Sequence, residues 1–455
     1  MVTIIGSYSV TPKEETPNGV LWLAENDQVP RWSHQSILYI YKPKHSESED
    51  DFNVFVERMR ESLSHILVPY YPLAGRLNWI QGGRLKLDCN AKGAMLLEAQ
   101  SNKSMAEYGD FSPSQPIKEL IPTVDYSRPI EELPLLLAQI TRFQQLQEGI
   151  AIGIAWSHPI CDGLAAIHFI NSWAKVTRGN KLEANEIPIL DRTLLKPSHP
   201  LSQPRFDHRE YKPLPLILGR SDTIEEQKKK TSFVQLKLTS MQVQKLKKNA
   251  NNNDFQSEKP YTRFEAIGAH LWRCACKARE LHKNQPTVFK TVVDIRKKMN
   301  PPLPQNYFGN ALAGTVSPTC YVGEIVAKPL SYAAKNIREA VKMINDEYIR
   351  SQIDFYAGEE HMDRIRVPYL EKGEHRADIL FSGNPNLRVT SWMGMPVYEA
   401  DFGWGRLVHF GQGALSPFDV GFVALSPDMD GSILVFMHFQ EAHMQNFIKF
   451  FWEDI

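Results

Sequence analysis

The pattern of apolar and polar positions changes along the chain between strand-like and helix-like spacing. Runs of mostly apolar residues predict strands over 37–41, 135–142 and 149–156. Apolar residues three and four positions apart predict helices over 51–67 and 163–176, where one face of each helix would be buried. The first half of the chain is therefore predicted to mix strands and helices.

The second half of the chain is also predicted to mix strands and helices, and a proline-rich segment separates it from the first half. Six prolines interrupt residues 187–215, and regular structure cannot continue through such spacing. Beyond this segment the pattern predicts strands over 231–238 and 432–439 and helices over 241–248, 264–278 and 444–451. We therefore expect an α/β fold with two similar-sized domains, at 1–187 and 223–455, joined by a crossover loop at 188–222.

Composition excludes several classes of protein. The 455 residues carry 52 basic and 52 acidic side chains, so the chain lacks the basic excess typical of nucleic-acid binding. Apolar stretches such as 149–156 are far shorter than the roughly 20 residues that cross a bilayer, and the start shows no secretory signal. The five cysteines form no CxxC pair, which argues against a zinc site or a disulfide framework. We expect a reduced, cytoplasmic enzyme without a membrane segment.

The sequence AWSHPICDG at 155–163 holds the strongest candidate for catalysis. His158 follows a predicted strand, and Asp162 and Gly163 precede a predicted helix, so the imidazole is expected at a corner beside a cleft. A histidine with an ordinary pKa near 6.5 is a natural general base at neutral pH. The alternative is structural: His158 would be satisfied by backbone groups, and Asp162 would only cap the helix.

A second signal is the sequence DFGWG at 401–405. Gly403 and Gly405 permit a tight turn that holds Trp404 against the backbone, and such a turn favours a role in packing over a role in catalysis. A kinase-type DFG motif is excluded, because no glycine-rich phosphate loop or HRD sequence accompanies it.

Together, HPICDG at 158–163 and DFGWG at 401–405 resemble the paired signatures of the plant BAHD acyltransferases. YPLAGR at 71–76 and NYFGN at 306–310 fit the same family in the expected order. Within the family the chain is most similar to hydroxycinnamoyl transferases, and among these to spermidine hydroxycinnamoyl transferases. The resemblance implies a two-domain fold of the CoA-dependent acyltransferase type with an interdomain channel.

The resemblance also implies roles for particular residues. His158 would deprotonate the acceptor as it attacks an acyl-CoA thioester, without a covalent enzyme intermediate. Asp162 would pair with Arg296 and hold the histidine corner in shape. Asp401 is grouped with the catalytic signature, although we expect it to act through its turn. The remaining expectations are acceptor contact by His34, CoA contact by Thr262 and Arg263, and structural roles for Trp404, Gly403 and Gly405.

The expected partners are an acyl-CoA and a small acceptor, bound by a monomer that needs no metal or other cofactor. In the shikimate and quinate branch, an arginine stands two residues after the tryptophan of a Ser-Trp pair, and this chain has Gly394 there. We therefore expect a polyamine such as spermidine, attracted by carboxylates among Asp354, Glu359, Glu360, Glu371 and Glu374.

Three alternatives stay open from the sequence. O-acylation of an alcohol would use the same chemistry as N-acylation. A non-catalytic binding member of the family is disfavoured because His158 is present. A condensation-type enzyme is disfavoured because Ser157 stands where such enzymes carry a second histidine.

Overall fold

The computed structural model describes residues 1–43, 48–252, 259–366, 375–377, 379–413, 416 and 418–455. Its strands, in chain order, are β1 (Val2–Val10), β2 (Gly19–Leu21), β3 (His34–Pro43), β4 (Arg76–Ile80), β5 (Arg84–Cys89), β6 (Ala94–Ser101), β7 (Leu136–Arg142), β8 (Ile150–Ser157), β9 (Thr231–Leu238), β10 (Pro286–Thr287), β11 (Phe289–Asp294), β12 (Leu312–Val316), β13 (Cys320–Tyr321), β14 (Leu387–Ser391), β15 (Gly405–Gln412), β16 (Val420–Leu425) and β17 (Ile433–Gln440).

The helices alternate with these strands in both halves of the chain. They are α1 (Glu25–Gln28), α2 (Glu49–Ile66), α3 (Gln115–Lys118), α4 (Gly163–Thr177), α5 (Ile224–Gln227), α6 (Ser240–Asn251), α7 (Arg263–Ala278), α8 (Val322–Ala327), α9 (Leu330–Met343), α10 (Asp346–Gly358) and α11 (Glu441–Glu453). The predicted mixed α/β fold is confirmed.

The first sheet has the strand order β1-β6-β7-β8-β3-β15. Every residue of β8 is buried, which explains why its sequence reads as a continuous apolar run. Strand β8 pairs antiparallel with β3, and this pairing sets His34 opposite Ser157, next to the histidine corner. Helices α2 and α4 pack on one face of the sheet through a shared apolar core.

The last strand of that sheet, β15, belongs to the half of the chain beyond the crossover loop. It pairs antiparallel with β3, with Gly405 opposite Pro43. Its residue Phe410, together with Phe402 and Trp404 just before it, is buried in the first core. A boundary drawn by residue number alone therefore does not separate the two sheets, because the chain crosses back after residue 400.

The second sheet has the strand order β12-β11-β14-β16-β17-β9. Helices α7, α9 and α11 cover one of its faces around a second apolar core. Amphipathic patterning explains this layer: in α7, the residues Leu271, Trp272 and Ala275 are buried, whereas Arg263 is exposed. Two further small sheets are formed by β2-β5-β4 and by β10-β13.

The proline-rich crossover at 188–222 contains no β-strand. It contains two short 3₁₀ turns, at Arg192–Leu195 and Arg209–Tyr211, and a single bridge between Ile189 and Tyr307. The loop nevertheless touches the core of the molecule, since the side chain of Arg192 is buried. It thereby contributes a charged group close to the predicted site.

Candidate active site

His158 occupies the corner that the sequence predicts, between the end of β8 at Ser157 and the start of α4 at Gly163. Its backbone N–H donates to the Ser33 carbonyl at 3.2 Å. Its carbonyl accepts from the Asn310 side chain, with Nδ2 and O 3.0 Å apart. Both halves of the chain therefore hold the backbone of the catalytic candidate.

The imidazole of His158 is not a satisfied structural histidine. Its Nδ1 atom is buried and has no hydrogen-bond partner among the described residues, although the residue as a whole is only partly buried. Burial lowers the pKa of His158 below its ordinary value of 6.5, and the positive charges of Arg388 and Arg31 act in the same direction. At neutral pH the ring is therefore uncharged, and a neutral imidazole has one unprotonated nitrogen that can serve as a base.

Asp162 is fully buried and its carboxylate is saturated by four donors. Arg296 supplies two of them, Nη1 to Oδ2 at 3.0 Å and Nη2 to Oδ1 at 3.1 Å. The backbone N–H groups of Ala165 and Ala311 supply the others, each at 2.9 Å. Asp162 is thus both the N-cap of α4 and the partner of Arg296, and it makes no hydrogen bond to His158.

A second buried ion pair supports the same corner, and sequence reasoning missed it. Arg192 of the crossover donates to Asp27 at 3.3 Å and to the Ile160 carbonyl at 2.8 Å. Asp27 also accepts from the backbone and side chain of Asn310, at 2.9 and 3.0 Å. The NYFGN sequence was the available signal for Asn310, but nothing local marks Asp27 or Arg192 as its neighbours.

His34 begins β3, beside the His158 corner, and both of its ring nitrogens are engaged. Nε2 lies 2.8 Å from the Pro134 carbonyl, and Nδ1 lies 3.0 Å from the Tyr126 hydroxyl. Burial lowers the pKa of His34 to about 4, so the ring is neutral, donates through Nε2 and accepts at Nδ1. It therefore offers no spare polar atom to an acceptor.

The residues expected to contact CoA lie at the start of α7. Thr262 is the N-cap, with its hydroxyl accepting from the Glu265 N–H at 3.2 Å, and Glu265 reciprocally accepts from the Thr262 N–H at 2.6 Å. Arg263 is exposed. The capping box accounts for Thr262 structurally, whereas Arg263 remains available to a ligand.

Asp401 lies at the opposite end of α4 from His158. Its Oδ1 accepts from the Gly403 N–H at 2.9 Å, and Arg178, the C-cap of α4, donates to its carbonyl. Because α4 has 15 residues, it spans about 22 Å between the two sites. Asp401 therefore has no contact with the His158 imidazole, and its geometry is that of a turn residue.

The other residues of the DFGWG sequence fix this turn against the first core. Gly403 has a left-handed φ of 85°, and a Cβ atom on Gly405 would meet the Lys42 carbonyl at 2.0 Å. The Trp404 ring packs against Phe52 and Phe55, with centroids 6.0 and 5.0 Å away. Each residue thus has a structural reason for its identity.

The acidic residues expected to attract a polyamine are engaged or exposed. Asp354 is buried and accepts from the backbone and hydroxyl of Ser198 at 2.7 and 2.8 Å. Glu359 lies 3.3 Å from Arg364, and Glu360 is exposed. Glu371 and Glu374 lie outside the described residues.

No group of three or more potential metal ligands occurs within the described ranges. Of the helices in that part of the chain, none is both long and apolar enough to cross a membrane. Cys161, inside the HPICDG sequence, is buried, and burial raises the pKa of its thiol well above the usual range.

Comparison with known proteins agrees with this geometry. The Transferase family matches residues 1–453. The chain is 41% identical to hydroxycinnamoyl-CoA:piscidic acid hydroxycinnamoyltransferase of Actaea racemosa, covering 100% of both chains. It is 36% identical to shikimate O-hydroxycinnamoyltransferase of Nicotiana tabacum, covering 98% of both. The fold matches the crystal structure of vinorine synthase with a TM-score of 0.71, at 19% identity over 98% of this chain and 96% of that one.

These relatives align with the chain along its whole length. An end-to-end match to the family, together with relatives above 30% identity, establishes membership. The similarity to a spermidine-specific enzyme is not among these findings. The chain belongs to the BAHD acyltransferases and is an acyltransferase that uses an acyl-CoA thioester as co-substrate.

Proposed function

We propose that this enzyme transfers a hydroxycinnamoyl group from CoA to a hydroxyl or amine of a small acceptor, with His158 as the general base. The observation that carries the proposal is the neutral, partly buried imidazole, with no hydrogen bond to Nδ1, at a corner fixed by two buried ion pairs. The names of the two relatives support the hydroxycinnamoyl donor.

In the proposed reaction, Nε2 of His158 removes the proton from the acceptor as its oxygen or nitrogen attacks the thioester carbonyl. The tetrahedral oxyanion then collapses, the carbon–sulfur bond breaks, and the imidazolium returns the proton to the leaving CoA thiolate. A thioester is already activated, so a positioned base is sufficient and no acyl-enzyme is required.

Asp162 and Arg296 act as positioning residues in this scheme. Because the Asp162 carboxylate is saturated by Arg296 and backbone donors, it has no lone pair left to relay a proton from His158. Its contribution is to tie the start of α4 to the second half of the chain, which keeps the histidine corner at its place in the domain interface.

For CoA, we propose that Arg263 contacts a phosphate at the start of α7, beside the capped Thr262. Arg263 is exposed and makes no ion pair within the described ranges. The measurement is the KM for the acyl-CoA: Arg263→Gln is expected to raise it several-fold and to leave the KM for the acceptor unchanged.

The spermidine acceptor expected from the sequence stays a prediction. Among the described residues, Asp354 and Glu359 have protein partners, so neither presents a spare carboxylate to a polyamine. Both relatives are named for acid acceptors, piscidic acid and shikimate. These observations favour the alternative from the sequence, O-acylation of a hydroxyl-bearing metabolite, over N-acylation of spermidine.

The experiment is a transfer assay on the purified chain with p-coumaroyl-CoA or feruloyl-CoA. Spermidine, shikimate, quinate and an aromatic alcohol are offered in separate reactions, with CoA thiol release and product mass as readouts. The proposal expects acceptor-dependent thiol release together with an acylated product. Thiol release without an acylated product from any acceptor would contradict it.

A further inference from the structure

The second sheet has one face covered by helices and one face that carries polar and charged groups. Along β14, Leu387 and Val389 are fully buried in the core with α7 and α9. Side chains alternate along a strand, so Arg388 and Thr390 point to the opposite face, where both are only partly buried. This opposite face is therefore not part of the helical core.

Strand pairing sets a second cation beside Arg388. In the parallel pair of β11 and β14, Lys290 is the register partner of Arg388, so both side chains lie on the same face. The Lys290 ammonium donates to the Glu210 carbonyl at 2.8 Å and lies 5.9 Å from the Tyr211 ring centroid. Within the described ranges neither cation forms an ion pair with a carboxylate.

Arg388 in particular has unused hydrogen-bonding capacity. Its Nε atom is buried without a hydrogen-bond partner, and no hydrogen bond joins its guanidinium to any other described residue. Two adjacent, partly buried cations without a directly paired carboxylate repel each other, and an anion between them would relieve both the repulsion and the missing hydrogen bonds. The pair is thus built for a negatively charged ligand.

The segment that follows β14 on this side of the sheet contacts the first sheet and the start of α4, next to His158. Just after β14, Trp392 packs against Phe410 of the first sheet, with centroids 5.9 Å apart. Met395 lies so close to Gly163, the first residue of α4, that a Cβ there would be 3.2 Å from the methionine Cε. The charge of Arg388 also acts on His158. An anion on Arg388 would therefore lie on the side of the sheet that continues, through Trp392 and Met395, to the start of α4 beside His158.

We propose that Arg388 and Lys290 bind a carboxylate of the acceptor, so that the acceptor is an organic acid carrying the hydroxyl or amine that His158 deprotonates. The proposal rests on the proposed function and names the substrate class for the same site. It also offers a physical substitute for the arginine that is absent at Gly394: the cation is supplied from β14 itself, six residues earlier.

The phosphates of CoA are the other possible source of negative charge. The pantetheine arm separates those phosphates from the sulfur, and hence from the carbonyl that reacts at His158. A cation pair close to the histidine therefore fits the acceptor better than the CoA phosphates. The two sources differ in which substrate loses affinity when the cations are removed.

The test compares wild type with Arg388→Gln, Lys290→Gln and the control Arg406→Gln, which removes an exposed arginine from β15. The substrates are p-coumaroyl-CoA with malate, tartrate, shikimate or quinate, each as the free acid and as its methyl ester. For the best acid, kcat/KM is expected to fall about 10- to 100-fold in Arg388→Gln through a higher acceptor KM, with the KM for p-coumaroyl-CoA unchanged. The esters are expected to be poor substrates of every variant alike, and Arg406→Gln to resemble wild type.

Calorimetric binding of the same acids without donor separates this proposal from the proposed function. Acid binding to wild type that is lost in Arg388→Gln supports the carboxylate site even if no hydroxycinnamoyl transfer is seen. Three results would overturn it: equal use and binding of acids and esters, a rise in the KM for acyl-CoA alone, or spermidine as the sole acceptor with no acid bound. Circular dichroism of the variants checks that each one is folded.

Discussion

Asp162 and Arg296 form a buried, two-pronged ion pair that joins the start of α4 to the segment after β11. The two nitrogen–oxygen distances are 3.0 and 3.1 Å, and both side chains are almost completely buried. Since the aspartate of the HPICDG sequence faces this arginine and not the imidazole, the two signature residues have separate tasks. The His158 imidazole is not bound by Asp162, and Asp162 instead holds the start of α4 to the segment after β11.

Removing one partner of this pair is expected to lower the stability of the protein strongly. Arg296→Ala leaves the buried Asp162 charge without its main partner, which should lower the free energy of unfolding by about 3–5 kcal/mol. Urea denaturation followed by fluorescence measures it. The matched control is Arg205→Ala, which breaks an exposed pair with Glu347 and should change the unfolding free energy by less than about 1 kcal/mol. Similar small effects from both substitutions would show that the buried pair does not stabilise the corner.

The DFGWG turn offers a test of its structural role that does not touch the catalytic corner. A Cβ on Gly405 would meet the Lys42 carbonyl at 2.0 Å, so Gly405→Ala must push β15 away from β3. We expect a loss of about 1–3 kcal/mol in stability, seen as a lower thermal midpoint. Gly394→Ala is the control, because a Cβ there meets nothing within 4 Å. An unchanged midpoint in Gly405→Ala would contradict the close strand contact.

The pH dependence of catalysis follows from the environment of His158. Burial and two nearby arginines lower its pKa below 6.5, so its neutral, basic form persists to lower pH than in an exposed histidine. With an uncharged acceptor, kcat/KM at pH 6.5 should therefore stay above half of its value at pH 7.5, with the main decline at lower pH. An acid limb with an apparent pKa above 6.5 would argue against this environment or against His158 as the titrating base.

The pKa of Lys290 leads us to expect a rise in the acceptor KM at alkaline pH, and only for acceptors that carry a carboxylate. Burial, together with the neighbouring Arg388 charge, lowers its pKa to about 8, against the opposing effect of Glu210. Above pH 8 the ammonium loses its proton, so the KM for a carboxylate acceptor should rise, whereas the KM for its methyl ester should not. Lys290→Gln should remove this alkaline rise, and persistence of the rise in that variant would assign it to another group.

Cys161 is expected to be unreactive despite its place in the HPICDG sequence. Its burial raises the thiol pKa, so little thiolate exists at neutral pH, and thiolate is the nucleophilic form. Iodoacetamide at pH 7.5 should leave activity intact, and Cys161→Ala should retain turnover to within about threefold. Mass spectrometry of the enzyme with p-coumaroyl-CoA alone should show no acylated protein, and an acyl adduct on Cys161 would contradict direct transfer.

Local patterns account for much of the fold. The predicted strand at 231–238 coincides with β9, and the predicted helix at 163–176 differs from α4 by one residue. These elements could be predicted because burial of one face makes apolar residues recur at short, regular intervals in the sequence. The placement of β15 in the first sheet was not readable, since pairing between distant segments leaves no local periodicity.

The same limit applies to the site. The position of His158 was expected from the contiguous HPICDG sequence, and the pairing of Asp162 with Arg296 was expected from the family resemblance. The neighbours Lys290 and Arg388 are 98 residues apart and meet only through the register of β11 and β14. Asp27 and Arg192 likewise meet through tertiary packing. Charges that become adjacent in this way have no sequence pattern, so the acceptor pocket could not be derived from the chain alone.

The role of His158 as the base for acyl transfer is tested most directly by one comparison. It measures kcat/KM for acceptor-dependent CoA release by wild type and by His158→Ala. Loss of a positioned general base predicts a fall of about 10²- to 10⁴-fold with circular dichroism unchanged. A folded His158→Ala variant that keeps more than a tenth of the wild-type kcat/KM would contradict the account.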